Sequence, residues 1–382
     1  MIAPRSFLFS RHPRLARICA LSLLGLCLAV LLTGCGEAFN FDSEQSALDP
    51  KGPVARQQKE TYDITLWVTA FLWVTVGGAL LWAVWRYRAR PGDENKALPK
   101  QTHGSALVEV GLIVVSAIML VFIAVPTLQG IVYMKELPPQ QMEEAVKIRA
   151  TGYQWWWEFE YLDEGLITAN ELVLPVDRPV YVELVSGDVN HSFWLPKLAG
   201  KVDLIPGQLN DIWFQADETG TYWGQCAEFC GDSHAFMLFR AHVREADEYE
   251  TWLEETLATS ERDPTQTPSR ASTGEDRQER VAAIQRGHEL FTKNCATCHR
   301  VRPNAAGRGP NLHNIASRST LAAGWLENNA ENLHHWIQNS EEIKPGNLMY
   351  YGFPDMEGLK EKQDLLTDEN VNDLVAYLGT LK

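Results

Sequence analysis

Gln225-Cys226-Ala227-Glu228-Phe229-Cys230-Gly231-Asp232-Ser233-His234-Ala235-Phe236-Met237 is the stretch that decides how the rest of the chain reads. Cys226, Cys230, His234 and Met237 supply two thiolates, an imidazole and a thioether. Soft sulfur with imidazole is the donor set that copper prefers, and one Cys with two His and a weak Met describes a mononuclear centre. A second Cys changes that reading, because two thiolates can bridge two copper ions. Such a pair shares one odd electron, so little geometry changes when it moves. The site would carry electrons, not transform a substrate. One more imidazole is needed from another strand, and Asn190-His191-Ser192 offers it after the β-branched run Pro179–Val185. Two plainer readings compete. The same spacing traces one face of a helix, and a Cys pair outside the cytosol is commonly a disulfide. Gly224 and Gly231 interrupt a helix there, and a disulfide leaves the placement of His234, Met237 and His191 to coincidence.

Working outward, short runs alternate with Gly, Pro, Asp and Asn turns: Val146–Thr151, Gln154–Tyr161, Pro179–Val185, Asp211–Ala216, Gly220–Trp223 and Phe236–Val243. This spacing predicts a small all-β sandwich or barrel, with the sulfur-rich stretch in the loop between its last two strands. The layout matches a cupredoxin-like Greek-key barrel over 135–257. Strand parity in Gln154–Tyr161 puts Trp155, Trp157, Phe159 and Tyr161 on one face, and Trp156, Glu158 and Glu160 on the other. An exposed tryptophan here would be a candidate for accepting electrons, and parity alone nominates Trp156. Glu245–Thr256 reads as a short amphipathic helix closing the unit. From 258 to 280 the chain is Ser, Thr, Pro, Asp, Glu and Arg without apolar periodicity, a flexible linker.

Upstream, Arg5, Arg11, Arg14 and Arg17 precede the apolar run Ile18–Leu32 and then Leu32-Thr33-Gly34-Cys35. A basic region before an apolar run too short for a comfortable span reads as a secretory signal over 1–34; an uncleaved anchor helix is the rival. The segment 35–61 is polar, and Glu37–Glu60 is expected to run extended on the surface. Ile64–Trp85 and Ala106–Tyr133 are each long enough to cross a bilayer, giving a two-helix hairpin over 62–134. Arg86, Arg88, Arg90, Lys96 and Lys100 between them outnumber Asp93 and Glu94, so this loop should face the cytoplasm and everything after Tyr133 the outside. Glu109 stands near the cytoplasmic start of the second span, where a carboxylate costs less than at mid-bilayer.

The last hundred residues, 281–382, read as all-α. The apolar pattern of Val281–Cys295 runs into Cys295-Ala296-Thr297-Cys298-His299. Cys-x-x-Cys-His is the attachment sequence of a c-type haem: two thioethers, with His299 as one axial ligand. A thioredoxin-like redox pair and a zinc half-site are the rivals, but no βαβ pattern surrounds it and no second Cys pair follows. A sixth ligand is usually Met. Lys344-Pro345-Gly346-Asn347-Leu348-Met349 offers Met349, with Met356 as the alternative; His313, His334 and His335 read as surface residues. Thr367 caps a closing helix, with Asp368 and Glu369 in its first turn.

The 382 residues suggest two or three domains. A net charge of −15 argues against a nucleic-acid partner. The order of these segments resembles subunit II of a haem-copper cytochrome c oxidase, and more narrowly the caa-type, whose cytochrome c is fused to that subunit. The resemblance covers nearly all of the chain after 34. It implies a dinuclear copper (CuA) centre bridged by Cys226 and Cys230, with His191 and His234 as terminal ligands, Met237 a weak ligand and the Glu228 carbonyl another. It further implies a magnesium ion shared with subunit I through the Glu228 side chain. Trp155 is implied as the residue where electrons enter, Glu109 as the mouth of a proton-uptake channel, and Met349 as the loop ligand of a class I cytochrome whose Pro310 carbonyl receives the proximal His N–H. Leu32-Thr33-Gly34-Cys35 resembles a lipobox, which implies a lipid on Cys35. The implied partners are subunits I and III, membrane lipid and an external donor such as a cytochrome or quinol–cytochrome c reductase, at a bacterial cytoplasmic membrane. The small subunit of a CuA-containing nitric oxide reductase and a membrane-tethered electron shuttle are alternatives. A quinol-oxidase branch is disfavoured, since that branch lacks the copper ligands present here.

Overall fold

The computed structural model describes residues 43–92, 104–258, 275–351 and 367–382. The leader with Cys35, most of the linker and Met356 lie outside the described residues.

Two long helices come first, α1 (Pro53–Tyr87) and α2 (Ala106–Lys135), both apolar enough to cross a membrane. At 1.5 Å per residue α1 is about 52 Å long, well beyond the ~30 Å of a bilayer's hydrocarbon core. The excess lies at its N-terminus, where the sequence reading had an extended segment. From Pro53 the chain is instead helical. Proline at the first helical position presets the backbone, and Val54-Ala55-Arg56-Gln57-Gln58-Lys59-Glu60 consists mostly of good helix formers. Val54 and Ala55 are buried, and Arg56 pairs with Asp217 of the following domain. This overhang is held to the β-domain by Lys51 N–H donating to the Lys197 carbonyl at 2.7 Å and by the Tyr133–Trp213 edge contact at 5.5 Å from α2.

A short helix, α3 (Pro139–Glu144), leads into ten strands: β1 (Val146–Tyr153), β2 (Trp156–Tyr161), β3 (Leu166–Ala169), β4 (Glu171–Pro175), β5 (Val180–Ser186), β6 (His191–Trp194), β7 (Lys201–Leu204), β8 (Asn210–Phe214), β9 (Gly220–Cys226) and β10 (Leu238–Arg244). They form two five-stranded sheets, β3-β2-β1-β5-β8 and β4-β10-β9-β6-β7. Parallel pairing of β1 with β5 and of β4 with β10 interrupts the otherwise antiparallel ladders. Trp157, Phe159, Phe193 and Phe239 fill the space between the sheets. α4 (Ala246–Ala258) closes the unit. The strand read as Gln154–Tyr161 begins only at Trp156. Tyr153 pairs with Trp156, so Gln154 and Trp155 form the two-residue link of a hairpin and escape strand parity.

The third unit comprises α5 (Glu275–Asn294), the small hairpin β11 (Thr320–Leu321) with β12 (Leu326–Glu327), α6 (Ala330–Gln338), α7 (Ser340–Ile343), α8 (Leu348–Tyr351) and α9 (Asp368–Leu378). α5 starts inside the stretch read as linker, because its charged residues form helix without an apolar face. α5 and α9 cross at Gly287, where a Cβ would lie 2.0 Å from the Asp373 carbonyl oxygen. Beside the crossing, Arg286 donates two 2.7 Å bonds to the Asp373 carboxylate. Thr367 caps α9 by accepting from Asn370 N–H at 3.3 Å.

The helical unit is docked on the β-domain through the β11–β12 turn. Ala322 and Ala323 have φ of 52° and 60°, a left-handed backbone that costs an L-residue roughly 1–2 kcal/mol. Three of the turn's carbonyls are engaged from outside it. Lys344 Nζ donates to Ala322, Leu238 N–H to Ala323 and Arg240 Nη2 to Gly324, at 3.2, 3.0 and 2.7 Å. Beside it the buried Glu171 carboxylate accepts from the N–H and hydroxyl groups of Ser319 and Thr320, and meets His242 Nε2 at 3.2 Å. Burial opposes ionisation of Glu171, but bonds from His242, Ser319 and Thr320 outweigh it and bring the carboxyl from 4.5 to about 2. A depressed carboxyl stabilises the docked state fully above its unfolded pKa and loses that contribution as pH falls through the folded value, here between 4.5 and about 2. The shift corresponds to about 3 kcal/mol. Protection factors of the Ser319 and Thr320 amides, corrected for intrinsic exchange at each pH, should therefore be markedly lower at pH 3 than at pH 6, and Glu171→Gln should abolish the difference. Equal protection at both pH values would contradict this.

Candidate copper and haem sites

The sulfur-rich stretch starts on the last residue of β9, forms a loop with one 3-10 turn (His234–Phe236), and returns on β10. The loop is tied at its base by Cys226 N–H donating to the Met237 carbonyl at 2.9 Å. β6 lies beside β9, with Phe193 opposite Cys226, and this pairing brings His191 across. Gly152 on β1 makes room for that ring; a Cβ there would stand 2.9 Å from His191 Cδ2.

Six donors converge. Cys226 and Cys230 Sγ are 3.8 Å apart, far from the ~2.05 Å of a disulfide. His191 Nδ1 lies 3.9 Å from Cys226 Sγ, and His234 Nδ1 3.5 Å from Cys230 Sγ. Met237 Sδ is 3.9 Å from Cys230 Sγ, and the Glu228 carbonyl 3.3 Å from Cys226 Sγ. Ligand atoms of His191, Cys226 and Cys230 lie within 4.8 Å of one another, and all three residues are buried. The Cys226 sulfur is drawn down to about 4, chiefly by hydrogen bonding to Cys230, while the same contact pushes Cys230 up. Two thiols, two imidazoles, a thioether and a carbonyl around one point fit a dinuclear thiolate-bridged copper site. The Glu228 side chain points away, exposed beside Phe229, and Glu109 stands apart in the first turn of α2.

One residue escaped the sequence reading. Asp188 accepts from His191 Nε2 at 2.8 Å through Oδ1 and from Gln154 N–H at 2.7 Å through Oδ2. Burial raises its carboxyl, yet bonds from His191, Gln154 and Val189 hold it below the ordinary carboxylate range. Fixing one ring nitrogen leaves Nδ1 facing the sulfurs. An acidic residue three positions before a candidate ligand was the available signal.

In the helical unit, His299 Nδ1 donates to the Pro310 carbonyl at 2.8 Å, which fixes the orientation of the ring. His299, Cys298 and Met349 line one cleft of about 1070 Å³, open solvent at its mouth included. Leu312, Ile315, Leu321, Leu333 and Ile337 give it apolar walls, as a haem requires. His313 is buried rather than on the surface: Nδ1 meets Asn311 Oδ1 at 3.1 Å, and burial, then Arg318, brings the ring down to about 3. His334 and His335 remain on the outer part of α6.

The cleft has a wall that the sequence did not disclose. Trp155, Trp156, Ala169 and Asn170 of the β-domain complete it. Trp155 is only 7% exposed, and its indole Nε1–H donates to the Cys230 carbonyl at 3.0 Å. Trp156 stacks on Tyr153 and is covered by Ala323, at 9% exposed. None of the three tryptophans of this run is exposed, and the helical unit covers Trp156. One indole thus touches both the cleft and a thiol-bearing residue.

Fold and sites together define a class: a two-span membrane protein whose external β-domain gathers soft metal ligands and carries a cytochrome in the same chain. Comparison with known proteins agrees. The family models for the transmembrane and periplasmic domains of cytochrome c oxidase subunit II match residues 43–129 and 164–243, and that for cytochrome c matches 284–382. Cytochrome c oxidase subunit 2 of Alkalihalophilus pseudofirmus is 37% identical over 93% of this chain and 95% of that one. A quinol oxidase subunit 2 of Bacillus spizizenii is 32% identical but matches only 60% of this chain and 70% of that one. The solved periplasmic domain of cytochrome oxidase subunit II from Bradyrhizobium japonicum is 39% identical, with 29% of this chain and 91% of that one covered and a TM-score of 0.28. The chain belongs to the cytochrome c oxidase subunit II family, in the form that carries a C-terminal cytochrome c domain. It is a subunit of a haem-copper oxidoreductase, membrane-bound and with its β-domain outside.

Proposed function

We propose that this chain is the subunit through which electrons enter a haem-copper oxidase, passing from an external donor to a haem on Cys295, Cys298 and His299, then to a CuA centre, then to subunit I. The observation that carries the reading is Trp155, which lines the haem cleft and donates to the Cys230 carbonyl. Bound in these sites, haem and the copper pair supply one-electron chemistry; reduction of oxygen to water and proton pumping belong to subunit I. The chain's own residues hold and exclude. Cys226, Cys230, His191, His234, Met237 and the Glu228 carbonyl hold copper, and Asp188 orients His191. Pro310 orients His299. Met349 lines the cleft and is the sixth ligand; Met356 is the alternative outside the described residues. Trp155 and Trp156 close the cleft against water.

In the same reading the Glu228 side chain holds a magnesium ion shared with subunit I, and Glu109 serves the mouth of a proton channel. Cys35 carries a lipid at a bacterial cytoplasmic membrane. Subunit III and a cytochrome or quinol–cytochrome c reductase complete the partners. Names of the full-length relatives favour the oxidase over a nitric oxide reductase. Metal analysis and EPR of the purified oxidase should give two coppers and one covalent haem in this chain, with one odd electron shared between the coppers. A single-copper spectrum, or haem removed by acid-acetone, overturns the reading.

A further inference from the structure

Lys344 is almost wholly buried, 4% exposed, at the junction of the helical unit and the β-domain. Its backbone is part of the loop that leads to Met349: its N–H donates to the Ser340 carbonyl at 2.9 Å, and its carbonyl accepts from Asn347 Nδ2 at 2.6 Å. Its ammonium leaves this loop and donates to the Trp155 carbonyl at 2.5 Å and to the Ala322 carbonyl at 3.2 Å. Burying an ammonium is costly, and desolvation brings this one down to about 7 despite the opposing pull of Cys230. In exchange, two carbonyls of the domain junction gain a donor, one of them in the left-handed turn that makes the dock. Ser233 Oγ, inside the sulfur-rich loop, donates to the Pro345 carbonyl at 2.7 Å and ties the same loop from the other side.

We propose that Lys344 is a positioning residue for electron transfer between the two cofactor sites, holding Trp155 at one fixed place between the haem cleft and Cys230. This rests on the function proposed above. Trp155 is clamped at both ends: its carbonyl receives the Lys344 ammonium, and its indole gives its N–H to Cys230. Strand pairing does not fix it, because it lies in the hairpin link. Without Lys344 the Trp155 and Ala322 carbonyls lose a donor in a buried junction, and the link can settle elsewhere. In the one-electron step, oxidation of the haem balances reduction of the copper pair. Lys344 itself takes no electron in that step.

The test uses the assembled oxidase with Lys344→Met, which keeps the stem and removes the donor, and Lys344→Gln, which keeps a donor without the charge. Flash-induced transfer from haem to copper is timed, alongside the haem midpoint potential, the copper EPR spectrum and amide exchange of residues 153–157. In Lys344→Met the transfer rate should fall severalfold, because electron tunnelling weakens steeply as the intervening indole moves away from its partners. Exchange over 153–157 should quicken, while potential and EPR spectrum stay as in wild type. Lys344→Gln should recover part of the rate. An unchanged rate in Lys344→Met overturns the proposal, and so does loss of either cofactor, which would make Lys344 a structural residue only. Absence of haem-to-copper transfer in the wild-type oxidase would instead sink the underlying function, so the two failures are told apart.

Discussion

Cys226→Ser should leave an oxidase that keeps its covalent haem, reduces it normally and consumes almost no oxygen. The serine hydroxyl is protonated at neutral pH and is a hard, weak donor where the site offers soft thiolate. Cys226 also stands at the centre of the cluster, with His191, Cys230 and the Glu228 carbonyl all within 3.9 Å of its sulfur. Changing groups that merely orient a ligand costs about 10–100-fold, and loss of a bridging ligand should exceed the upper figure. Turnover supported by a reduced cytochrome, together with copper content, checks this. Wild-type turnover in a copper-replete Cys226→Ser enzyme would rule out a bridging role. Cys230→Ser should behave alike, whereas Asp188→Asn should keep copper and lose only part of the rate.

The second large effect concerns folding. With Cys295 and Cys298 both changed to alanine, haem is no longer anchored, and the helical unit should fail to hold its structure. Its core is thin: Ile284, Phe291, Val371, Leu374 and Tyr377 join α5 to α9, while Leu312, Ile315, Leu321, Leu333 and Ile337 face the cleft. An apolar side chain buried against a ligand contributes about 1.5–3 kcal/mol. Ile315, Leu321, Leu333 and Ile337 are already at most 8% exposed, so each loses only part of that figure with the haem's contacts, and the summed loss is comparable to the whole stability of a small domain. Limited proteolysis should cut the unit after 275 while the β-domain survives, and circular dichroism should lose helix. A double variant that resists protease as wild type does would show that the unit folds on its own contacts.

Most of this architecture is legible in the residues themselves. The spans are long apolar runs, the haem sequence is contiguous, and five of the six candidate copper donors fall in one short stretch. What period and spacing could not supply was contact between distant segments. β6 (His191–Trp194) is too short to show alternation, so His191 came from its chemistry alone. Trp155 was given a strand parity it does not have, since the hairpin link begins one residue earlier. Helix at Pro53–Glu60 and again from Glu275 went unseen because neither stretch carries an apolar stripe. Nothing in the sequence marks Glu171, Arg240 or Lys344 as buried charges. Each is buried where the two domains meet, and no local pattern encodes that.

The first helix does more than anchor the chain. Its external turns are fixed to the β-domain by Val54, Ala55 and the Arg56–Asp217 pair, without a hinge between helix and domain. The membrane-crossing helix and the domain that carries the metal-binding loop are therefore joined by side-chain packing as well as by the chain.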